Sequence, residues 1–433
     1  MATVVLLGTC DTKLKELLFL REQILGHQHL DGVAVTLIDV GKLPIQHEAI
    51  SIRQDELVLK YAIDGKSLSG LPRGEVIKFM SGCASRAVRD LYAAGNVQGI
   101  VAAGGTGGTS LAAAVMREAL PIGLPKLIVS TVASGDTGPI VGETDIAMLY
   151  SVVDIAGLNE VLCEILSNAG AAIAAAASSY AERRKRQGSE SMSLPSGERK
   201  RVGITMFGVT TPGVDAIRRH LETEYGVEAY VFHATGHGGK AMERLVREGR
   251  LDAVLDLTTT EVCDLITGGN MSAGPHRLEA AAEAGIPCIV SLGATDMSNF
   301  GPRQSVPEKY RSPGAGRLLY EHNPVVTLMR SSPEECRAVG KFICAKLREH
   351  AKRPGLVQVW IPVGGVSMIS TPGGPFADAD ADEALFTAVT DGIKGSGIEV
   401  VVDPRDINDG GFAMDIADAL AAKMGLRDSG VVR

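Results

Sequence analysis

Aromatic residues are scarce in this 433-residue chain: Phe, Tyr and Trp together make up 4%, with a single Trp. Proteins that bind single-stranded nucleic acid interleave aromatics with Lys and Arg along a basic groove. No such interleaving is present and the formal net charge is −8, so no nucleic-acid partner is expected. The one basic run, Arg183-Arg184-Lys185-Arg186, stands beside a Ser/Gly-rich stretch and reads as solvated. No apolar stretch reaches about 18 residues without a charge or a glycine, so neither a spanning helix nor a membrane partner is expected. The opening "ATVVLLGTCDTK" has no basic flank and reads as a first strand, not a signal peptide. The seven cysteines are odd in number and contain no C-x-x-C. Buried thiols in a reducing, cytoplasmic setting are therefore expected, with no disulfide and no structural metal.

Glycine and small apolar residues are abundant instead, with 51 Gly and 45% apolar residues. This composition suits close backbone packing in an α/β protein. The length implies two domains. The most polar stretch, "RQGSESMSLPSGERK", follows a long Ala-rich helix and precedes the strand "RVGITMFG". The reading is a first domain over 1–185, a linker over 186–200 and a second domain over 201–433. Short apolar runs recur in both halves between helical segments: "TVVLLG", "GVAVTLIDV", "QGIVAAGG" and "KLIVSTVAS", with "IAMLYSVVD" as a further candidate, then "AYVFHA", "AVLDLTT", "PCIVSLGA", "VVTLMR", "VQVWIPVGG" and "IEVVVD". Fully apolar strands alternating with helices predict parallel sheets covered on both faces. The fold class expected is α/β, with two Rossmann-like doubly wound domains and mainly parallel sheets. Such domains take ligands at the carboxyl ends of their strands.

The glycine turns sit at those ends. The densest, Gly104, Gly105, Thr106, Gly107, Gly108, Thr109 and Ser110, lies between a strand and "LAAAVMREAL". Glycine there permits positive φ and lets main-chain N–H groups approach an anion at a helix N-terminus. A phosphate site is the expectation. The turn is not a Walker A loop, because no Gly-Lys-Ser/Thr closes it. The dinucleotide fingerprint also fits poorly, since Gly8-Thr9-Cys10-Asp11-Thr12 follows the first strand. Asp39, ending "VTLID", is a candidate for a ribose. Asp11 and Asp136 are candidates to face one crevice, where either would hold Mg²⁺ beside phosphates, with helix capping and turn formation as their other readings. Lys13 is either a cationic contact or solvated.

These motifs carry a resemblance. "LGTCDTK", "GGTGGTS", "VSTVASGD", "FHATGHGGKAME", "TTTEVCD", "GGNMSAGPHRLEAA" and "DINDGGFA" occur in the same order in the ATP-binding, N-terminal inhibitory domain family of the tomato mosaic virus resistance protein, whose bacterial and fungal members are an uncharacterised protein family. The resemblance spans nearly the whole chain. It implies two Rossmann-like subdomains, a homodimer, and ATP at the glycine turns of the first, beside which the carboxylate reading above adds Mg²⁺. Carried over motif by motif, the nucleotide contacts would be Gly8, Thr9, Asp11 and Thr12, then Gly104 to Ser110, then Ser134, Gly135 and Asp136. Plant members continue into a barrel domain similar to phosphoenolpyruvate mutases. No barrel lies within these 433 residues, so chemistry residing in one is expected to be either absent or supplied by a separate barrel-domain partner.

In the second half, His233, His237 and His276 lie in glycine-rich turns with Glu261 and Asp296. They are candidates for a small-molecule substrate site in an interdomain cleft, a His with a carboxylate making an acid–base couple. Structural histidines are the plainer reading, and the spacing of metal-binding helices is absent. Asp378, Asp380 and Asp382 imitate a calcium loop but lack its glycine and closing glutamate, so helix capping is expected. Asp403, Asp406 and Asp409 read as a polar turn and Cys83 as a buried small residue. Three functions stay open: an ATP-using phosphate-transferring or hydrolysing enzyme, a non-catalytic module that ATP stabilises, and an NAD-dependent dehydrogenase. The catalytic residues are left unassigned.

Overall fold

In the computed structural model, residues 1–26, 32–63, 68, 70–189 and 199–426 are described. The chain divides into two compact units, Met1–Pro195 and Ser196–Arg433.

The first unit holds strands β1 (Ala2–Gly8), β2 (Val33–Asp39), β3 (Gly99–Gly104), β4 (Lys126–Ser130) and β5 (Ala147–Tyr150). Its helices are α1 (Cys10–Leu25), α2 (Gln54–Tyr61), α3 (Arg73–Ala93), α4 (Thr106–Ala119), the short α5 (Gly138–Val141) and α6 (Glu160–Ser189). All strand pairs are parallel, in the order β2-β1-β3-β4-β5. Alternation along β1 explains the two covered faces. Val4 and Leu6 pack with α1 and α6, while Val5 and Leu7 pack with α3 and α4.

Helix α6 departs from the expectation in two ways. It continues to Ser189, into the stretch read as linker, and residues 190–198 lie outside the described residues. Within residues 160–186 an 18-residue window is also long and apolar enough to cross a membrane, a test that the core helix of a globular unit passes as well. Counting Gly170 and the charges as breaks hid this. Here Leu162, Leu166, Ala169, Ile173 and Ala177 are buried in the core of the unit. Gly170 faces α1, where a Cβ would lie 2.6 Å from the Cβ of Gln23.

The second unit contains β6 (Arg201–Met206), β7 (Glu228–His233), β8 (Ala253–Thr258), β9 (Cys288–Gly293), β10 (Met297–Phe300), β11 (Leu319–Asn323), β12 (Val326–Arg330), β13 (Val357–Pro362) and β14 (Glu399–Asp403). Six of these form a parallel sheet in the order β7-β6-β8-β9-β13-β14. Its helices are α7 (Thr211–Glu224), α8 (His237–Arg247), α9 (Thr260–Thr267), α10 (Ala280–Ala284), α11 (Glu308–Arg311), α12 (Pro333–His350), α13 (Ala379–Ile393) and α14 (Gly410–Lys423). Core residues again alternate: Val254 and Val359 face α8, α12 and α13, whereas Leu255 and Trp360 face α7 and α14.

"VVTLMR" is not a strand of the parallel sheet. It is β12, the middle strand of a small antiparallel sheet ordered β10-β12-β11. Only Pro324 and Val325 separate β11 from β12. So short a connection permits a hairpin and excludes a parallel crossover.

Both parallel sheets are α/β doubly wound and run outward in both directions from their first strand. The strand order 2-1-3-4-5 has its switch point between the first and third strands, where open α/β sheets hold ligands.

Candidate functional site

At the β1/β3 switch point of the first unit, a cleft of about 640 Å³ opens between the starts of α1, α3 and α4. A volume of this size suits a nucleotide or a similar small ligand.

The first wall comes from the end of β1. Gly8 is there for packing, since a Cβ would run into Leu17 at 2.2 Å. Thr9 and Thr12 share a hydroxyl–hydroxyl hydrogen bond of 2.9 Å, and Lys13 leaves helical geometry at φ −136°, ψ 25°. Thr9, Asp11, Thr12 and Lys13 thereby line the cleft on a short turn set off from the rest of α1. The Lys13 ammonium donates to the Ile155 carbonyl.

β2 supplies the second wall. Asp39 Oδ1 accepts from the N–H of Cys10 at 3.0 Å and of Gly41 at 2.9 Å, tying the end of β2 to the start of α1. Asp11 Oδ2 accepts from the N–H of Lys42 at 3.0 Å and of Leu43 at 3.2 Å. Gly41 lets the two carboxylates approach, because a Cβ would stand 2.5 Å from Asp11 Oδ1 and 3.0 Å from Asp39 Oδ1. Asp11 Oδ1 and Asp39 Oδ2 are shut off from water with no hydrogen-bond partner among the described residues. Burial raises the Asp39 carboxyl above its ordinary value, and the Asp11 charge adds to that. Burial first, and Asp39 next, hold the Cys10 thiol well above its usual range. Cys10 is therefore no nucleophile.

The third wall is the start of α4. Gly105 is extended at φ −77°, ψ −166°, and the helix begins at Thr106 with no side-chain cap. The stretch expected to be a loop is thus the first helical turn. None of Gly104, Gly105, Gly107 or Gly108 has positive φ. These glycines serve close approach, not an unusual backbone. A Cβ on Gly107 would lie 3.2 Å from Ile77 Cδ1 and 3.6 Å from Arg73 Nη2, and one on Gly108 would meet nothing within 4 Å. Amides in the first turn of a helix have no intrahelical partner, and here they stand at the cleft.

Gly105, Thr106, Gly107 and Gly108 line the cleft, but the flanking candidates do not. Gly104 closes β3 against Gly108, 3.2 Å from where its Cβ would be. The buried Thr109 hydroxyl bonds to Ser130 Oγ at 2.7 Å, which joins α4 to β4. Ser110 Oγ turns back to the Thr106 carbonyl at 2.9 Å. Ser134, Gly135 and Asp136 are exposed outside this lining, and Asp136 Oδ1 accepts from the Gly138 N–H at 3.0 Å. The carboxylate beside Asp11 is Asp39, not Asp136.

Three charged residues of the cleft lie outside the sequence motifs. Lys42 follows the end of β2, a position its sequence context could have flagged. Arg73 opens α3 just after Pro72, an odd place for a cation, since helix starts favour anions. Asp154, beyond β5, carried no local signal.

In the second unit the corresponding switch point, between β6 and β8, is filled by the protein itself. Asn408 Oδ1 accepts from the Gly213 N–H at 3.1 Å at the start of α7, and Asn408 Nδ2 donates to the Val209 carbonyl at 3.0 Å. The Met368 N–H donates to that same carbonyl at 3.0 Å. Thr210 and Thr258 share a hydroxyl hydrogen bond of 2.8 Å across the gap. A Cβ on Gly213 would sit 2.4 Å from the Ile407 carbonyl oxygen.

The substrate candidates separate accordingly. Glu261 is 1% exposed; its Oε1 accepts from the N–H of Gly236 at 2.7 Å and of Gly239 at 3.1 Å. Its Oε2 accepts from Arg277 Nε at 2.7 Å, and Arg277 also binds Asp256 and Glu243. This buried network holds the turns carrying His233, His237 and His276 in place. Burial holds the Glu243 carboxyl above its ordinary value against the pull of Arg277. Asp296 is fully buried, with Oδ2 accepting from Ser367 Oγ at 2.8 Å and Oδ1 unpartnered. His233 and His237 are exposed, and His233 stacks edge-on to Phe207 with centroids 5.6 Å apart. His276 Nδ1 bonds to Glu279 Oε2 at 3.0 Å. Of the three candidate histidines, His276 is the one paired with a carboxylate, that of Glu279, and neither Glu261 nor Asp296 partners a histidine among the described residues.

The remaining acids are structural. Asp378 caps α13 through the Ala381 N–H, Asp409 caps α14, and Asp403 pairs with Arg405 at 2.5 Å. Cys83 is buried within α3, and all seven cysteines are free.

Residues 2–182 match the N-terminal domain, and residues 199–424 the C-terminal domain, of the Uncharacterised protein family (UPF0261). The chain belongs to that family. A UPF0261 protein of Clostridium tetani is 41% identical over 97% of this chain and 98% of its own length. Another, from Rhizobium meliloti, is 44% identical over 95% of this chain and 97% of its own length. The ToMV resistance protein Tm-1(GCR237) of Solanum lycopersicum is 37% identical over 95% of this chain, which spans 54% of that plant protein. Among solved structures, the UDP-GlcNAc 2-epimerase from Neisseria meningitidis bound to UDP-GlcNAc aligns with 67% of this chain and 82% of that one, at 11% identity and TM-score 0.22. Acinetobacter baumannii MurG aligns with 67% of this chain and 79% of that one, at 11% identity and TM-score 0.21. At those scores neither carries anything about the site of this UPF0261 chain.

Proposed function

We propose that the first unit binds a nucleoside triphosphate, ATP with Mg²⁺, in the cleft at its β1/β3 switch point. The observation that carries this reading is the meeting of the bare first turn of α4 with Lys13, Lys42 and Arg73 around one cleft. Main-chain N–H groups at a helix start and nearby cations suit phosphate oxygens. Asp11, which lines the cleft, supplies a carboxylate of the kind Mg²⁺, a hard cation, takes together with phosphate oxygens. Asp39 fits a positioning role better than ribose binding, because its Oδ1 already holds two N–H groups behind Asp11.

Calorimetric titration with ATP and Mg²⁺ tests the reading, using wild type and a folded Gly107→Val variant. Binding by wild type that the variant loses supports it, and equal heats from both proteins would overturn the placement. Phosphate released in the same samples distinguishes a hydrolytic enzyme from a module in which the nucleotide only binds.

A further inference from the structure

Arg73 stands where its charge is unfavourable in the absence of a ligand. It is the first residue of α3, at the positive end of that helix dipole. Its guanidinium also faces a second positive end, since Nη2 lies 3.6 Å from where a Cβ on Gly107 would be, in the first turn of α4. Lys13 and Lys42 line the same cleft. Among the described residues, no ion pair joins Arg73, Lys42 or Lys13 to a carboxylate. Three cations and two helix starts share the cleft with only two carboxylates, Asp11 and Asp154, so positive charge is in excess there. An anion between them offsets that excess, and the more charge it carries the more it offsets.

We infer that Arg73 is the specificity residue of this cleft: it closes over the outermost phosphate from α3, opposite the α4 amides, and makes the site select a triphosphate over a monophosphate. The inference rests on the nucleotide reading above and deepens it. Exposed and without a hydrogen bond or ion pair among the described residues, the side chain gives up no existing bond to turn toward the ligand. A guanidinium can bind two phosphate oxygens at once, which a lysine ammonium does less well. The α4 amides and Arg73 approach from different helices, so losing one leaves the other in place.

The test is titration of ATP, ADP and AMP, each with Mg²⁺, into wild type, Arg73→Gln, Arg73→Lys and Lys78→Gln. Lys78 is an exposed cation on α3 outside the lining and controls for general charge. Arg73→Gln is expected to weaken ATP by about 10- to 100-fold, the usual scale of a charge-assisted contact. AMP should change by less than about threefold, so that the ATP/AMP preference collapses, with Arg73→Lys intermediate and Lys78→Gln unchanged. Without ligand, Arg73→Gln should melt no lower than wild type. Equal losses for ATP and AMP, no loss for either, or a lower melting temperature would overturn the role of Arg73 while leaving a nucleotide-binding cleft. Failure of wild type to bind any of the three would overturn the nucleotide reading and this inference with it.

Discussion

Arg277 donates through Nε to Glu261 at 2.7 Å with both side chains withdrawn from water, at 1% and 0% exposure. The carboxylate also holds two glycine N–H groups at the start of α8, so one buried acid fixes a guanidinium and a turn together. Glu261→Ala leaves a buried charge without one partner and two amides without an acceptor. A loss of about 3–5 kcal/mol is expected for breaking such a pair. Denaturant unfolding followed by circular dichroism measures it, and a change under 1 kcal/mol would mean that water or Asp256 compensates.

Gly108 separates ligand approach from packing. A Cβ there meets nothing within 4 Å, and the residue is helical. Gly108→Ala should stabilise the protein by about 0.5–1 kcal/mol, the usual helix preference for alanine. If the glycine is there to admit a ligand, the same variant binds ATP less tightly. Greater stability with unaltered affinity would instead make Gly108 incidental to binding.

The filled switch point of the second unit predicts stoichiometry. With Asn408 bonded to the Gly213 N–H and to the Val209 carbonyl, α7 has no vacant start equivalent to that of α4. Titration should therefore reach a nucleotide-to-chain ratio near one. A ratio near two that Asn408→Ala alters would locate a second site at α7.

Two buried acids predict the pH dependence of stability. Burial lifts the Asp296 carboxyl from 3.8 to about 6 despite the nearby Arg330, and lifts Asp264 to about 7 despite N–H groups from Asn299 and Met271. A carboxyl raised in the folded state holds its proton there while the unfolded chain has lost it. Stability therefore falls as pH rises from 3.8 through each folded value, and is regained on acidification. Asp296→Asn should remove the part of that slope between pH 3.8 and about 6 and leave the Asp264 part. Melting temperatures across pH 4–8 read both, and an unchanged slope in the variant would exclude Asp296 as its source.

Much of the architecture was legible because a strand buried on both faces must be apolar throughout. Runs such as "TVVLLG" and "IEVVVD" identify strands whatever their order. The start of α4 was legible as a candidate site because glycines in such density just past a strand are hard to explain by packing alone. Its conformation was not, since nothing local separates a glycine loop from a glycine-rich first turn. "VVTLMR" looks like any buried strand, and its antiparallel pairing follows from the short hairpin to β11. Glu261 lies among threonines that gave no sign of Arg277, its partner sixteen positions later.

By itself, the sequence determined the class of fold, the glycine turns at strand ends and the family, because hydrophobic period and backbone freedom are properties of adjacent residues. Only the tertiary structure decided which of those turns meet. The sheet brings β1 beside β3 and leaves Ser134 to Asp136 outside the cleft. It sets Arg73 over Gly107 and Asp11 beside Asp39, and it closes the second switch point with Asn408. Strand order and helix placement bring residues together from distant parts of the chain, and burial then decides whether a charge is a support or a contact.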